Sequence, residues 1–189
     1  MKRIIKVFAT ISLFIACNNS SENFSEQTLL SPETVEVYLL DSLNDSRGFC
    51  IDIVGSKTNA DIDKGLQTHS CYSYQGQISI DQGFDRVKID ENEFYIPFFN
   101  VCMEAEKIED LSNLNLKTCD GNEKQKFILQ NDGKIQPLTN FNLCLTVSDS
   151  YREGGGGSPV HLIRNLSLQF CNDTSSSSSR QKWGVRKSK

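Results

Sequence analysis

The chain has 189 residues, 38% hydrophobic and 23% charged, with a formal net charge of −4. That length suits one domain of ordinary size and is too short for two catalytic-sized ones, and the composition excludes a disordered chain. The acidic balance argues against a polyanionic partner, so nucleic acid is not expected.

The first element is an export signal. Met1 to Lys6 is basic, Val7 to Ala16 is apolar, and a small residue precedes Cys17, which are the three parts of such a segment. Simple cleavage after Ala16 would put bulky Phe14 at the −3 position, where a small residue is wanted. Phe14-Ile15-Ala16-Cys17 instead resembles a bacterial lipobox. That resemblance implies lipidation of Cys17 and, with Asn18 rather than Asp next, retention at the outer membrane. On this reading residues 1–16 are a signal peptide, residues 17–33 a lipid-anchored flexible tether rich in Ser, Asn and Glu, and residues 34–189 the folded domain. Removing Lys2, Arg3 and Lys6 leaves 17 basic residues against 24 acidic, a formal charge of about −7. The protein is expected at the outer membrane, in the periplasm or at the cell surface. No apolar run beyond the N-terminus approaches the ~20 residues of a membrane span, so membrane contact is expected only through the lipid.

Six cysteines remain after Cys17, an even number suited to disulfides in an oxidising compartment. Three of them sit in similar strand-like hexads: Gly48-Phe49-Cys50-Ile51-Asp52-Ile53, Asn100-Val101-Cys102-Met103-Glu104-Ala105 and Asn142-Leu143-Cys144-Leu145-Thr146-Val147. Each alternates or runs apolar around its cysteine, as a half-buried strand does. Cys71, Cys119 and Cys171 follow 21, 17 and 27 residues later, and the simplest pairing is local: Cys50 to Cys71, Cys102 to Cys119 and Cys144 to Cys171. The recurrence is a threefold internal repeat. After each late cysteine comes another apolar strand signal, at Ile78 to Ile80, Lys126 to Leu129 and Lys182 to Val185. Only Ala105 to Leu116 could pass for a helix, and it lacks caps. Short strands with turn punctuation indicate an all-β barrel or sandwich. Zinc ligation would need close Cys or His pairs, but the six cysteines lie far apart and only His69 and His161 are present, so neither a metal nor a cofactor is expected.

With these features placed, the pattern resembles the ricin-type β-trefoil lectins, whose repeats read Cys-Leu-Asp-Val, a turn, Gln-x-Leu-x-x-Cys and a closing Gln-x-Trp. The match covers about residues 35 to 185. It is best near the end, in Gln125-Lys126-Phe127, the turn Asn131-Asp132-Gly133, the Cys144 hexad and Gln181-Lys182-Trp183. The resemblance implies a β-trefoil of three pseudo-repeats, each with a local disulfide, that binds glycans or glycoconjugates without catalysis. It also implies sites built from a carboxylate, an amide and a flat ring. In the first repeat these would be Asp52, Gln67, His69 and Tyr72, with Gln77 as the Gln of the closing motif, Gly76 before it and Ser79 in place of the Trp. A weaker second site would hold Glu104, Asn115 and Gln125, with Lys117 where the ring should stand and Asp120 following Cys119. In the third repeat Thr146 replaces the acid and long Gly and Ser turns intervene, so no ordinary sugar site is expected. The alternative is a ricin-like protein-interaction subunit without sugar binding, similar to the lipoprotein subunits of cytolethal distending toxins.

Bland readings compete with several of these. Trp183 reads as a core plug rather than a stacking platform. His69 has no nucleophile motif beside it, Gly154 to Gly157 lacks the context of a phosphate cradle and reads as a mobile loop, and the acids from Glu104 to Asp110 read as a solvated face rather than a glycosidase pair.

Overall fold

Alternation around each early cysteine produces the expected strands. The computed structural model describes residues 33–174 and 178–187; the signal segment, Cys17 and all but the last residue of the tether lie outside the described residues. Among those described, the strands in chain order are β1 Thr34–Leu39, β2 Phe49–Ile53, β3 Leu66–Ser70, β4 Gly83–Asp85, β5 Tyr95–Ile96, β6 Val101–Ala105, β7 Leu114–Lys117, β8 Phe127–Leu129, β9 Ile135–Pro137, β10 Leu143–Val147, β11 Arg152–Glu153, β12 Leu162–Phe170 and β13 Trp183–Arg186. In β2, β6 and β10 the residues flanking each cysteine, among them Ile51, Met103 and Leu145, enter one shared apolar core. The cysteine itself faces the other way, because side chains alternate along a strand.

The three units are equivalent in register, as a β-trefoil requires. Asp52 lies opposite Gln67, Glu104 opposite Asn115, and Thr146 opposite Ser167. The disulfides are the three local ones, Cys50–Cys71, Cys102–Cys119 and Cys144–Cys171. The threefold equivalence breaks in the third unit, where β12 is long enough to pair with both β10 and β3, and β11 folds back onto β12. The third repeat thereby lies against the first.

Phe84, Phe127 and Trp183 are fully buried. Phe94 links the first two edge to face, with centroids 6.2 and 6.3 Å apart, and the Trp183 indole N–H donates to the Leu145 carbonyl at 2.9 Å. Trp183 is therefore the core plug expected of it. One expectation is corrected. The strand expected at Ile78 to Ile80 is irregular, and its place is taken by β4 a few residues on. Ala105 to Leu116 is not helical but a β6–turn–β7 hairpin. The α-helix α1, Arg86–Asp90, has the N-cap Asp85, which accepts from the Val87 and Lys88 amides, supplying the partners that the first turn of a helix lacks.

Candidate functional site

A buried glutamine organises each repeat. Gln125 accepts from the Asp120 and Gly121 amides just after Cys119, and donates to the Thr118 carbonyl and to Glu104, all at 2.9–3.2 Å. Gln181 does the same around Cys171, accepting from the Asn172 amide and donating to the Phe170 carbonyl and to the Thr146 hydroxyl. In the first repeat the glutamine so placed is Gln82, which accepts from the Tyr72 amide at 3.0 Å and reaches the Ser70 carbonyl at 3.4 Å. Gln77 is exposed and does not fill this role. The closing motif of the first repeat is thus Gln82-Gly83-Phe84, not one built on Gln77 and Ser79, and the residue before its glutamine is Asp81 rather than Gly76. The same Gln-x-Phe pattern as Gln125-Lys126-Phe127 was present in the sequence to signal it.

The structure does bring Asp52, Gln67, His69 and Tyr72 together, but it closes them in. Asp52 is 1% exposed and Gln67 and His69 are 5% exposed. Gln67 donates to Asp52 at 2.9 Å, and the Arg152 guanidinium of the third repeat donates to the Gln67 amide oxygen at 2.9 Å. The Tyr72 ring stacks on His69 with centroids 5.0 Å apart and planes 22° apart. His161, also from the third repeat, sits edge-on to both rings at 5.0 and 5.1 Å. Burial pushes the Asp52 carboxyl well above its ordinary range, the neighbouring Asp81 adds to that, and the amides of Gln67 and Gln82 offset only part. Burial likewise holds the Tyr72 phenol up at about 12 and lowers His69 and His161. A carboxyl that resists ionisation is a poor acceptor for sugar hydroxyls.

The second repeat is the less enclosed counterpart, with Glu104 itself buried at 8% exposed. Its acceptor Glu104 keeps 11% of its side chain exposed beside half-exposed Lys124, Asn115 and Asn122 are partly exposed, and Lys117 and Asp120 are exposed. Glu104 accepts from Asn122 and Gln125, both at 2.9 Å, and from Lys124 at 3.4 Å. Burial raises its carboxyl, but these donors outweigh that and hold it below its usual range, so it stays ionised at neutral pH. No ring stands in the ring's place here; that position holds the exposed Lys117.

The model of the family described as the ricin-type beta-trefoil lectin domain matches residues 41–183. The chain belongs to that family. The lectin domain is similar to the C-terminal domain of an earthworm lectin solved with 6'-sialyllactose, at TM-score 0.54 and 15% identity over 82% of this chain and 99% of that one. It is also similar to the β-trefoil lectin of the Vibrio vulnificus hemolysin/cytolysin solved with N-acetyl-D-lactosamine, at TM-score 0.52 and 17% identity over 83% and 96% of the two chains. The designed threefold-symmetric protein ThreeFoil gives TM-score 0.58 and 14% identity over 81% and 97%. No curated protein matches the sequence.

Within this lectin domain the third repeat holds Thr146, whose hydroxyl donates to the Cys144 carbonyl and accepts from Gln181. Its lengthened segment, expected as a mobile glycine loop, supplies β11 and the residues that cover the first repeat. Arg152 and His161 carried no local signal, because they act through tertiary packing on another repeat.

Proposed function

We propose that the lectin domain binds glycans without chemically altering them, and that Glu104 of the second repeat is the acceptor at the working site. One observation carries this reading. Two carboxyls at equivalent places have opposite surroundings: Glu104, 8% exposed, is held ionised by the donors around it, whereas Asp52, 1% exposed, is held towards its neutral form by burial and the neighbouring Asp81. A carboxylate is the side chain that can accept from two neighbouring hydroxyls at once. Screening the full chain on a glycan array beside Glu104→Gln and Asp52→Asn tests it. Binding of neutral glycans should be lost in Glu104→Gln and kept in Asp52→Asn; loss only in Asp52→Asn would move the site to the first repeat.

A second reading, an interaction subunit, is favoured by one surface feature. Leu111 and Phe170, 70% and 64% exposed, adjoin each other, since the Leu111 amide bonds the Leu168 carbonyl and the Phe170 amide bonds Asp110. An array silent for folded protein would favour this reading. In either case we propose export with a lipid on Cys17, which mass spectrometry of the mature protein tests.

A further inference from the structure

Where β3, β7 and β12 converge, residues of all three repeats enclose a cleft of about 330 Å3. Its floor is apolar and threefold: Leu66, Leu114 and Leu166 each stand five residues before a late cysteine, and each is buried. Its rim is polar, with the amides of Gln67, Asn113, Asn115 and Asn165 and the cations of Lys64 and Arg152. Carboxylates are missing from the lining.

Arg152 decides what such a cleft would take. A guanidinium carries five N–H donors in a fixed fork. Arg152 spends one of them on the Gln67 oxygen, and among the described residues it has no carboxylate partner. Gln67 is itself fixed by its bond to buried Asp52. The guanidinium is therefore held from behind, with donors left over. Lys64, the other cation, shares its charge with partly exposed Asp61 at 3.2 Å.

We propose that this cleft is a second binding site, for a sugar bearing a carboxylate, with the carboxylate on Arg152. The pairing of a planar fork with a planar carboxylate is bidentate and charge-assisted. The rim amides both donate and accept, as hydroxyls require, and the leucine floor meets a C–H face. The volume lies at the low end of the roughly 300–1,000 Å3 usual for small-molecule sites, enough for one or two sugar rings. The inference rests on the glycan-binding reading only for the sugar; the anion is argued from Arg152.

The test titrates the full chain, by calorimetry at low salt, with the methyl glycosides of glucuronic, galacturonic and N-acetylneuraminic acids, each beside its neutral methyl ester. At least one acid should bind about tenfold or more tightly than its ester, the scale of one charge-assisted bidentate contact. Arg152→Gln should abolish that preference, as should Asn165→Asp, which sets a negative charge on the rim at an exposed position. Unchanged melting temperatures establish that both variants fold. The preference should persist in Glu104→Gln. No preference for any acid over its ester, or a preference that survives Arg152→Gln, overturns the cleft site. If array binding is meanwhile lost in Glu104→Gln, the second-repeat reading stands without the cleft; if an acid preference requires Arg152 while the array ignores Glu104→Gln, the cleft stands without that reading.

Discussion

Asp52 and Glu104 stand two residues after an early cysteine, each opposite an amide on the paired strand, yet their chemistry diverges. One extra methylene is the smaller part of the difference. Asp52 is 1% exposed with Asp81 as its charged neighbour, whereas Glu104, 8% exposed, accepts from Asn122 and Lys124. The divergence has a consequence for stability. Because the folded pKa of Asp52 is raised above its unfolded value near 3.8, its contribution is fully present below that value. It is lost as pH rises through the folded pKa. Asp52→Asn cannot ionise, so its melting temperature relative to the parent chain should rise as pH is taken from 5 to 9, read by thermal denaturation monitored by circular dichroism. A difference that stays flat over that range would mean Asp52 ionises freely in the folded protein. Position after cysteine was legible at this scale. Ionisation was not, because it depends on what covers the group.

Each repeat ties its late cysteine to its closing strand through one buried glutamine. Gln82, Gln125 and Gln181 follow their cysteines by 11, 6 and 10 residues, so the spacing varies while the hydrogen bonds recur. Counting six residues from Cys71, as from Cys119, lands on exposed Gln77; the intervening segment is a turn whose length no ladder constrains. Gln82→Ala would strand the Tyr72 amide and cost about 1–3 kcal/mol, the penalty for an unpaired buried group. Gln77→Ala should stay within about 0.5 kcal/mol, as surface changes do. Urea unfolding of the two variants separates them, and equal costs would restore Gln77 to the motif. The five-residue α1 escaped notice for a different reason: an amphipathic period needs more turns than it has. Leu114 and Leu116 of the β6–β7 hairpin, by contrast, alternate as a strand does.

Three units that cannot bury a core separately do so together, around Phe84, Phe127 and Trp183. Each unit is closed by its own disulfide, and bridges over loops of 17 to 27 residues stabilise by about 3 kcal/mol apiece in the chain-entropy model. Replacing Cys102 and Cys119 together by Ala should therefore lower the unfolding free energy by about that amount in urea melts, with the other two bridges intact by non-reducing peptide mapping. The all-β class, the three units, their disulfides and the plugging role of Trp183 were determined by the sequence alone, and the trefoil was implied by its resemblance to the ricin-type lectins. Strand alternation, cysteine pairing and aromatic burial are local or repeated signals, written once per unit. The tertiary structure alone decided which repeat is the more enclosed. The third repeat's β11–β12 hairpin delivers Arg152 and His161 onto the first repeat across more than 80 residues of chain, and no local pattern encodes a contact made between distant segments. Burial then fixed which carboxyl keeps its charge, because the cost of ionising a group is set by the surrounding solvent and dipoles rather than by its neighbours in sequence.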